Sequence, residues 1–82
     1  MTYRAELSGR ALKQIHGLPG PAFDNLIGAM AEVIDYPDDP LRTFPTSAPY
    51  VRRVEFGDAG LITYLINDGT STVIVLDITW AG

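Results

Sequence analysis

The spacing of apolar side chains changes once along this sequence, and that change limits the folds that the chain can adopt. Up to Asp35 the apolar residues recur every three or four positions, which is the period of an amphipathic helix. From Tyr50 onward they lie in short runs rich in β-branched and aromatic residues, which are typical of strands. Helices followed by consecutive strands predict an α+β fold of two layers, in which the helices cover one face of a small sheet.

Two helices are predicted in the N-terminal half. Ser8 suits the N-cap of the first helix, which we expect to end before Gly17. The second helix begins at Pro21 and stops near Asp35, because the residue before Pro37 disfavours helical backbone. We expect this helical hairpin to pack on the sheet through one set of apolar side chains, namely Leu12, Ile15, Phe23, Ile27, Met30 and Ile34.

Four strands are predicted. They are a short strand within Thr2–Leu7 and three longer ones at Tyr50–Phe56, Leu61–Ile66 and Thr72–Trp80. The turns at Gly57–Gly60 and Asn67–Gly69 join the last three into an antiparallel meander. The proline-rich stretch Pro37–Pro49 is predicted to be a loop or an extended segment. In the last strand we expect one alternating set to face the helices, namely Ile74, Leu76, Ile78 and Trp80.

The length and composition describe one small domain, residues 1–82. A chain of 82 residues buries only about 60–65 per cent of its unfolded surface, so it depends on tight packing or on a partner. It has no cysteine and only one histidine, which excludes disulfides, thiolate zinc sites and a histidine-rich metal centre. We therefore expect neither a metal nor another cofactor.

The charge balance and the hydropathy bear on where the protein acts. A net charge of −4 argues against general nucleic-acid binding, which normally needs a basic surface. The sequence has no apolar run of 18 residues and no apolar signal core after Met1. From these features we expect a cytoplasmic protein with no membrane partner.

The order of these elements, with the residues at their joints, resembles the RelE/ParE superfamily of bacterial toxins from type II toxin–antitoxin systems. The opening segment Tyr3–Ser8 is similar to the family's first strand and helix start. The later part is similar to its basic strand, Gly-Asp turn, tyrosine-bearing strand and last apolar strand, at Arg53–Asp58, Leu61–Tyr64 and Val75–Ile78. The resemblance covers nearly the whole chain and implies a RelE-like fold.

The resemblance also implies a function. It identifies the chain as a toxin that a cognate antitoxin neutralises, with ribosome-bound mRNA or gyrase as the target, and hence inhibition of translation or replication and a part in plasmid stabilisation. Members that cut mRNA usually place an arginine where this chain has Gly60, and a basic or histidine pair where it has Thr79 and Trp80. These departures predict weak or no RNA cleavage. Two alternatives stay open: an active ribosome-dependent mRNA endoribonuclease (an mRNA interferase), and a non-toxic protein-interaction module.

RNA cleavage through the 2′-hydroxyl needs a base, a cation for the phosphorane and an acid for the leaving oxygen. Arg52, Arg53 or Arg42 could supply the cation and Glu55 the base, because Glu55 lies two residues from Arg53 and so shares its face of the strand. An Arg53–Glu55 pair with Tyr64 nearby would be a minimal catalytic site. Consecutive arginines on a strand point to opposite faces, so only one of them can serve a given site. The competing interpretation is an exposed ion pair. The candidate target-binding residues are Arg42, Tyr64 and Trp80.

Overall fold

The structure, a computed structural model, describes residues 2–82, which form two helices and five strands. Their bounds in chain order are β1 (Arg4–Leu7), α1 (Gly9–Ile15), α2 (Gly20–Asp35), β2 (Thr43–Pro45), β3 (Val51–Phe56), β4 (Gly60–Asn67) and β5 (Thr72–Trp80). None of the helices within residues 2–82 is long and apolar enough to cross a membrane.

The five strands form one mixed sheet in the order β1-β5-β4-β3-β2. Strands β3, β4 and β5 are the predicted antiparallel meander, while β1 pairs in parallel with β5 and forms one edge of the sheet. The α+β class with its N-terminal strand, helical hairpin and meander is thus confirmed. Part of the proline-rich segment is extended, as the sequence allowed, but the sequence did not predict that β2 within it pairs with β3 as a fifth strand.

The short helix α1 closes the part of β5 that β1 does not reach. Ser8 caps it as predicted, since its Oγ accepts a hydrogen bond from the amide of Ala11 at 3.1 Å. The same hydroxyl donates to the carbonyl of Leu76 at 3.1 Å, and Oε1 of Gln14 accepts from the amide of Ile78 at 2.7 Å. The side chains of Ser8 and Gln14 therefore bond to backbone groups of β5 that would otherwise be unpaired at the edge of the sheet.

The buried face of α2 differs from the predicted one. The side chains packed into the core are Ala22, Leu26, Met30 and Val33. Leu26 is only 2% exposed, whereas its neighbour Ile27 is 51% exposed. Leu12 and Phe23 are exposed as well, so the predicted contacts of Leu12, Phe23 and Ile27 with the sheet were wrong. Met30 is buried as predicted, and Ile15 and Ile34 pack at the margin of the core.

A bulge in β5 changes which of its side chains meet the helices. Thr63 pairs with Asp77 and Tyr64 pairs with Val75, so Leu76 has no residue opposite it. Val73 and Val75 are buried before the bulge, and Ile78 is buried after it. The prediction that Ile74 and Leu76 face the helices was wrong, because strict alternation cannot hold across an inserted residue.

Candidate functional site

The sheet has one face without helices, and two of the predicted catalytic residues lie on it. In β3, Val54 and Phe56 are buried in the core with α2, while the alternating residues Arg53 and Glu55 are exposed on the opposite side. Pairing extends this face to β4 and β5, because residues directly opposite one another share a face. We call it the open face; its residues include Arg4, Glu6, Phe44, Arg53, Glu55, Leu61, Thr63, Leu65, Ile74 and Thr79.

Arg53 and Glu55 share the open face, as the spacing predicted, but they do not form an ion pair. No contact within 4.0 Å joins their charged atoms among the ion pairs of residues 2–82. Arg53 stands between Phe44 of β2 and Thr63 of β4, and Glu55 stands opposite Leu61. The surroundings of the two charges are therefore mostly apolar or uncharged.

Arg52 lies on the helix side of β3, where its hydrogen bonds stabilise the fold. Its Nε donates to Oγ1 of Thr43 at 2.8 Å, and its Nη2 donates to the carbonyl of Thr43 at 3.2 Å. Oγ1 of Thr43 in turn donates to the carbonyl of Asp39 at 2.7 Å. This chain of bonds fastens β2 and the segment before it to β3. Arg52 and Arg53 thus face opposite sides of the sheet, as the alternation predicted.

Tyr64 does not lie near Arg53 and Glu55. It is fully buried on the helix side, and its hydroxyl donates to the carbonyl of Pro37 at 2.5 Å. Burial raises the pKa of this hydroxyl above its ordinary value, which favours the protonated form that donates the bond. Tyr64 anchors the proline-rich segment, and its side chain is not exposed to any partner.

The two remaining candidates occupy separate places on the helix side. Arg42 donates to both carboxylate oxygens of Glu32 at 2.7 Å, at the rim of a groove of about 410 Å³ between the end of α2 and β2. Trp80 pairs opposite Gly60 and lines a shallow depression beside Asn25 near the start of α2. The structure therefore brings together two pairs among the six candidates: Arg53 with Glu55 on the open face, and Arg52 opposite Tyr64 on the helix side.

Gly60 faces the helices and not the open face. It is buried between Phe56 on one side and Trp80 on the other. A Cβ atom at this position would overlap the ring of Phe56. The first open-face residue of β4 is Leu61. The strand that follows the Gly-Asp turn thus begins with no cation on either face.

Two residues that were not predicted as site residues, Phe44 and Asp77, also belong to this description of the sheet. Phe44 is an exposed aromatic side chain of β2 that stands opposite Arg53 on the open face. Asp77 accepts hydrogen bonds from Nε of Arg10 and Nε2 of Gln14, both at 2.8 Å. A carboxylate in an otherwise apolar strand was the one sequence signal for Asp77. Phe44 had none, because it lies in the segment for which no strand pairing was predicted.

The comparisons with known proteins rest on structure. No protein-family model matches the sequence, and no curated protein matches it significantly. The isolated Escherichia coli RelE toxin superposes with a TM-score of 0.87 at 20% identity, over 98% of this chain and 85% of that one. A RelBE toxin–antitoxin complex from Mycobacterium tuberculosis gives 0.84 at 18% identity, over 99% of this chain and 100% of that one.

A third solved structure shows how widely the likeness extends. The RelE–RelB complex of the archaeon Pyrococcus horikoshii superposes with a TM-score of 0.72 at 19% identity, over 100% of this chain and 98% of the other. Bacterial and archaeal structures thus match the same elements in the same order across the chain. The protein therefore has the fold of the RelE toxins, as the resemblance in its sequence implied.

Proposed function

We propose that this protein is the toxin of a type II toxin–antitoxin system, that a cognate antitoxin neutralises it, and that it cleaves RNA weakly or not at all. The observation that carries the first two parts is the match of fold along nearly the full length of RelE chains, several of which were crystallised with their antitoxins. The open face supports the third part.

The open face has too few catalytic groups for efficient RNA cleavage. Around β3 it carries one cation, Arg53, and one carboxylate, Glu55, where the reaction needs a base, an acid and a stabilised phosphorane. The charges of Arg4 and Glu6 lie on the same face but on β1, which β5 and β4 separate from β3. Arg52 and Arg42 hold Thr43 and Glu32 on the other side of the sheet, so neither adds charge there. Loss of one preorganised charge partner typically costs about 10²–10³ in rate.

A protein target is the second candidate function, and the apolar character of the open face favours it. Leu65 and Ile74 pair with each other there at the centre of the sheet, and Leu61 lies further along β4, beyond Thr63. Centres of protein interfaces are poor in charge and rich in apolar side chains, whereas RNA needs a basic surface. With a net charge of −4, the chain is better suited to a protein such as gyrase than to the ribosome.

The test is expression of the chain alone from a tightly controlled promoter, followed by separate measurements of growth, translation and DNA synthesis. We expect growth arrest that co-expression of the antitoxin relieves. Toeprinting of a translated message should show no codon-specific cuts, either with the parent or with Arg53→Ala. Lys13→Ala serves as the matched control, because Lys13 is an exposed cation of α1 away from the open face.

Two results would contradict the proposal. Cuts that the parent makes and that Arg53→Ala or Glu55→Gln abolishes would establish an mRNA interferase with those residues in its site. Unimpaired growth at high expression, with the protein folded and soluble, would instead establish a non-toxic interaction module.

A further inference from the structure

The two edges of the sheet differ in what they offer another chain. At the β2 edge, the amide of Thr43 donates to the carbonyl of Asp39 at 2.9 Å, and the carbonyl of Thr43 accepts from Arg52 at 3.2 Å. Pro45 has no amide hydrogen to donate. The strand is also only three residues long. This edge is therefore closed to strand addition.

The β1 edge is open. The amides of Arg4 and Ser8 donate toward β5, at 2.8 Å to Ser71 and 2.9 Å to Val75. Backbone groups alternate in direction along a strand, so those of Ala5 and Leu7 point away from the sheet. Among residues 2–82 no loop or helix bonds to these groups. All four residues of β1 are exposed, and the apolar Leu7 is 41% exposed.

We propose that β1 pairs antiparallel with β1 of a second copy of this chain, about a two-fold axis at Ala5. The two sheets would then join into one of ten strands. A two-fold axis makes the contact self-complementary, so each backbone bond and each side-chain pair occurs twice. The amide and carbonyl of each Ala5 bond to those of the other, and the amide of Leu7 bonds to the carbonyl of Tyr3 in the second copy.

The charges of β1 select this register over its neighbours. With Ala5 opposite Ala5, each Arg4 stands opposite Glu6 of the second copy. The nearest registers that keep the same backbone groups hydrogen-bonded differ by two residues. One of them places Arg4 opposite Arg4 and the other places Glu6 opposite Glu6, and like charges directly opposite one another are unfavourable. The sequence of β1 is therefore complementary to itself in one antiparallel register.

The charged side chains of β1 make only weak contacts within one chain, so forming the interface costs little stability. Within one chain, Nη2 of Arg4 and Oε2 of Glu6 are 4.0 Å apart, and their side chains are 73% and 56% exposed. Nη2 of Arg4 also donates a long hydrogen bond of 3.5 Å to Oγ1 of Thr72. A loose, exposed ion pair contributes little to stability, so Glu6 and the other guanidinium nitrogens of Arg4 can take new partners. Leu7 would meet Tyr3 of the second copy on the helix side of the joined sheet, which covers exposed apolar surface at the edge.

The experiment is analytical ultracentrifugation of the full chain from micromolar to millimolar concentration, with charge variants of β1. We expect a monomer–dimer equilibrium in the parent. Arg4→Glu and Glu6→Arg should each raise the dissociation constant about tenfold or more, because each puts like charges opposite one another twice. The double swap, Arg4→Glu with Glu6→Arg, should restore the parent value. Lys13→Glu is the matched control and should change nothing.

Amide hydrogen exchange of the parent and a thermal melt of each variant complete the test. The Ala5 amide should become protected as concentration rises, while each variant keeps the parent's thermal midpoint. The proposal is overturned by a monomer across the whole range, by a dimer insensitive to the single charge reversals, or by protection of Ala5 that appears only when an antitoxin is added. None of these results bears on toxicity, so the dimer and the proposed function fail separately.

Discussion

The side-chain oxygen of Gln14 accepts a hydrogen bond from the backbone amide of Ile78 at 2.7 Å, while its Nε2 donates to Asp77 at 2.8 Å. One residue of α1 thus satisfies two neighbouring groups of β5 where β1 no longer runs beside it. A glutamine amide can do this because it carries a donor and an acceptor side by side, as the backbone of a neighbouring strand does.

Gln14→Ala should lower the free energy of unfolding by about 1–3 kcal/mol, because it leaves the amide of Ile78 without its acceptor in a partly buried place. For a domain of this size that corresponds to a fall in melting temperature of about 4–8 °C per kcal/mol. Calorimetry measures this fall in melting temperature, and Lys13→Ala, an exposed position on the same helix, serves as the control. Equal midpoints for the two variants would show that the Gln14 bonds do not stabilise the edge.

The free energy of unfolding should decrease at low pH, because Asp77 becomes protonated there. The hydrogen bond from Gln14, aided by those from Arg10 and Thr79, lowers the pKa of this carboxyl below its ordinary value, although burial opposes the shift. A carboxyl whose pKa is depressed in the folded state stabilises the fold above its unfolded pKa of about 3.9. That contribution is lost as the pH falls through the folded value.

Thermal melts of the parent and of Asp77→Asn, taken from pH 7 to pH 2, test this expectation. The parent should be the more stable of the two at pH 7, and the gap should narrow below about pH 4. A gap that stays constant over the whole range would mean that the charge of Asp77 contributes nothing.

Substitutions at neighbouring positions of α2 should have opposite outcomes. Leu26→Asp places a carboxylate at a position that is 2% exposed, and the cost should remove most of the roughly 5–15 kcal/mol that holds a domain folded. Ile27→Asp places it at a position that is 51% exposed and should cost about 1 kcal/mol. Circular dichroism during heating distinguishes the two: a cooperative transition should survive only in Ile27→Asp.

Gly60 should not tolerate a side chain. In Gly60→Ala the new Cβ overlaps the buried ring of Phe56, and we expect a loss of about 1–3 kcal/mol. Gly28→Ala is the matched control, since Gly28 lies inside α2 with no atom within 4 Å of a Cβ there. That change should stabilise the protein by about 0.5–1 kcal/mol. Urea unfolding of both variants gives the change in the free energy of unfolding for each. Changes of the same sign would contradict the packing of Phe56 over Gly60.

Much of the fold follows from local sequence signals. Ser8 predicts the start of α1, Pro37 the end of α2, and the turns after Phe56 and Asn67 the meander. Each of these features depends on the conformation of a few consecutive residues, so neighbouring side chains suffice to specify it. The same local reading places Arg53 and Glu55 on one face of β3.

What the sequence did not reveal depends on contacts between distant residues. Helix α2 carries two adjacent apolar rows, one through Leu26 and one through Ile27, and both have helical spacing. Only packing against the sheet buries the first row and leaves the second exposed. Spacing alone cannot choose between rows that lie one residue apart, because the difference is a small rotation of the helix.

The strands show the same division. That β5 is apolar and β-branched is evident from its residues, but the bulge at Leu76 arises from its pairing with β4 and turns Ile78 toward the core. The side of the sheet on which Arg52, Arg42 and Tyr64 lie is likewise a result of assembly, since each side chain bonds to a residue at least nine positions away. Local periodicity determined the two helices and four of the five strands, whereas β2 forms only by pairing with β3. Only the tertiary structure decided which cations share a surface, because that depends on register and burial between segments far apart in the chain.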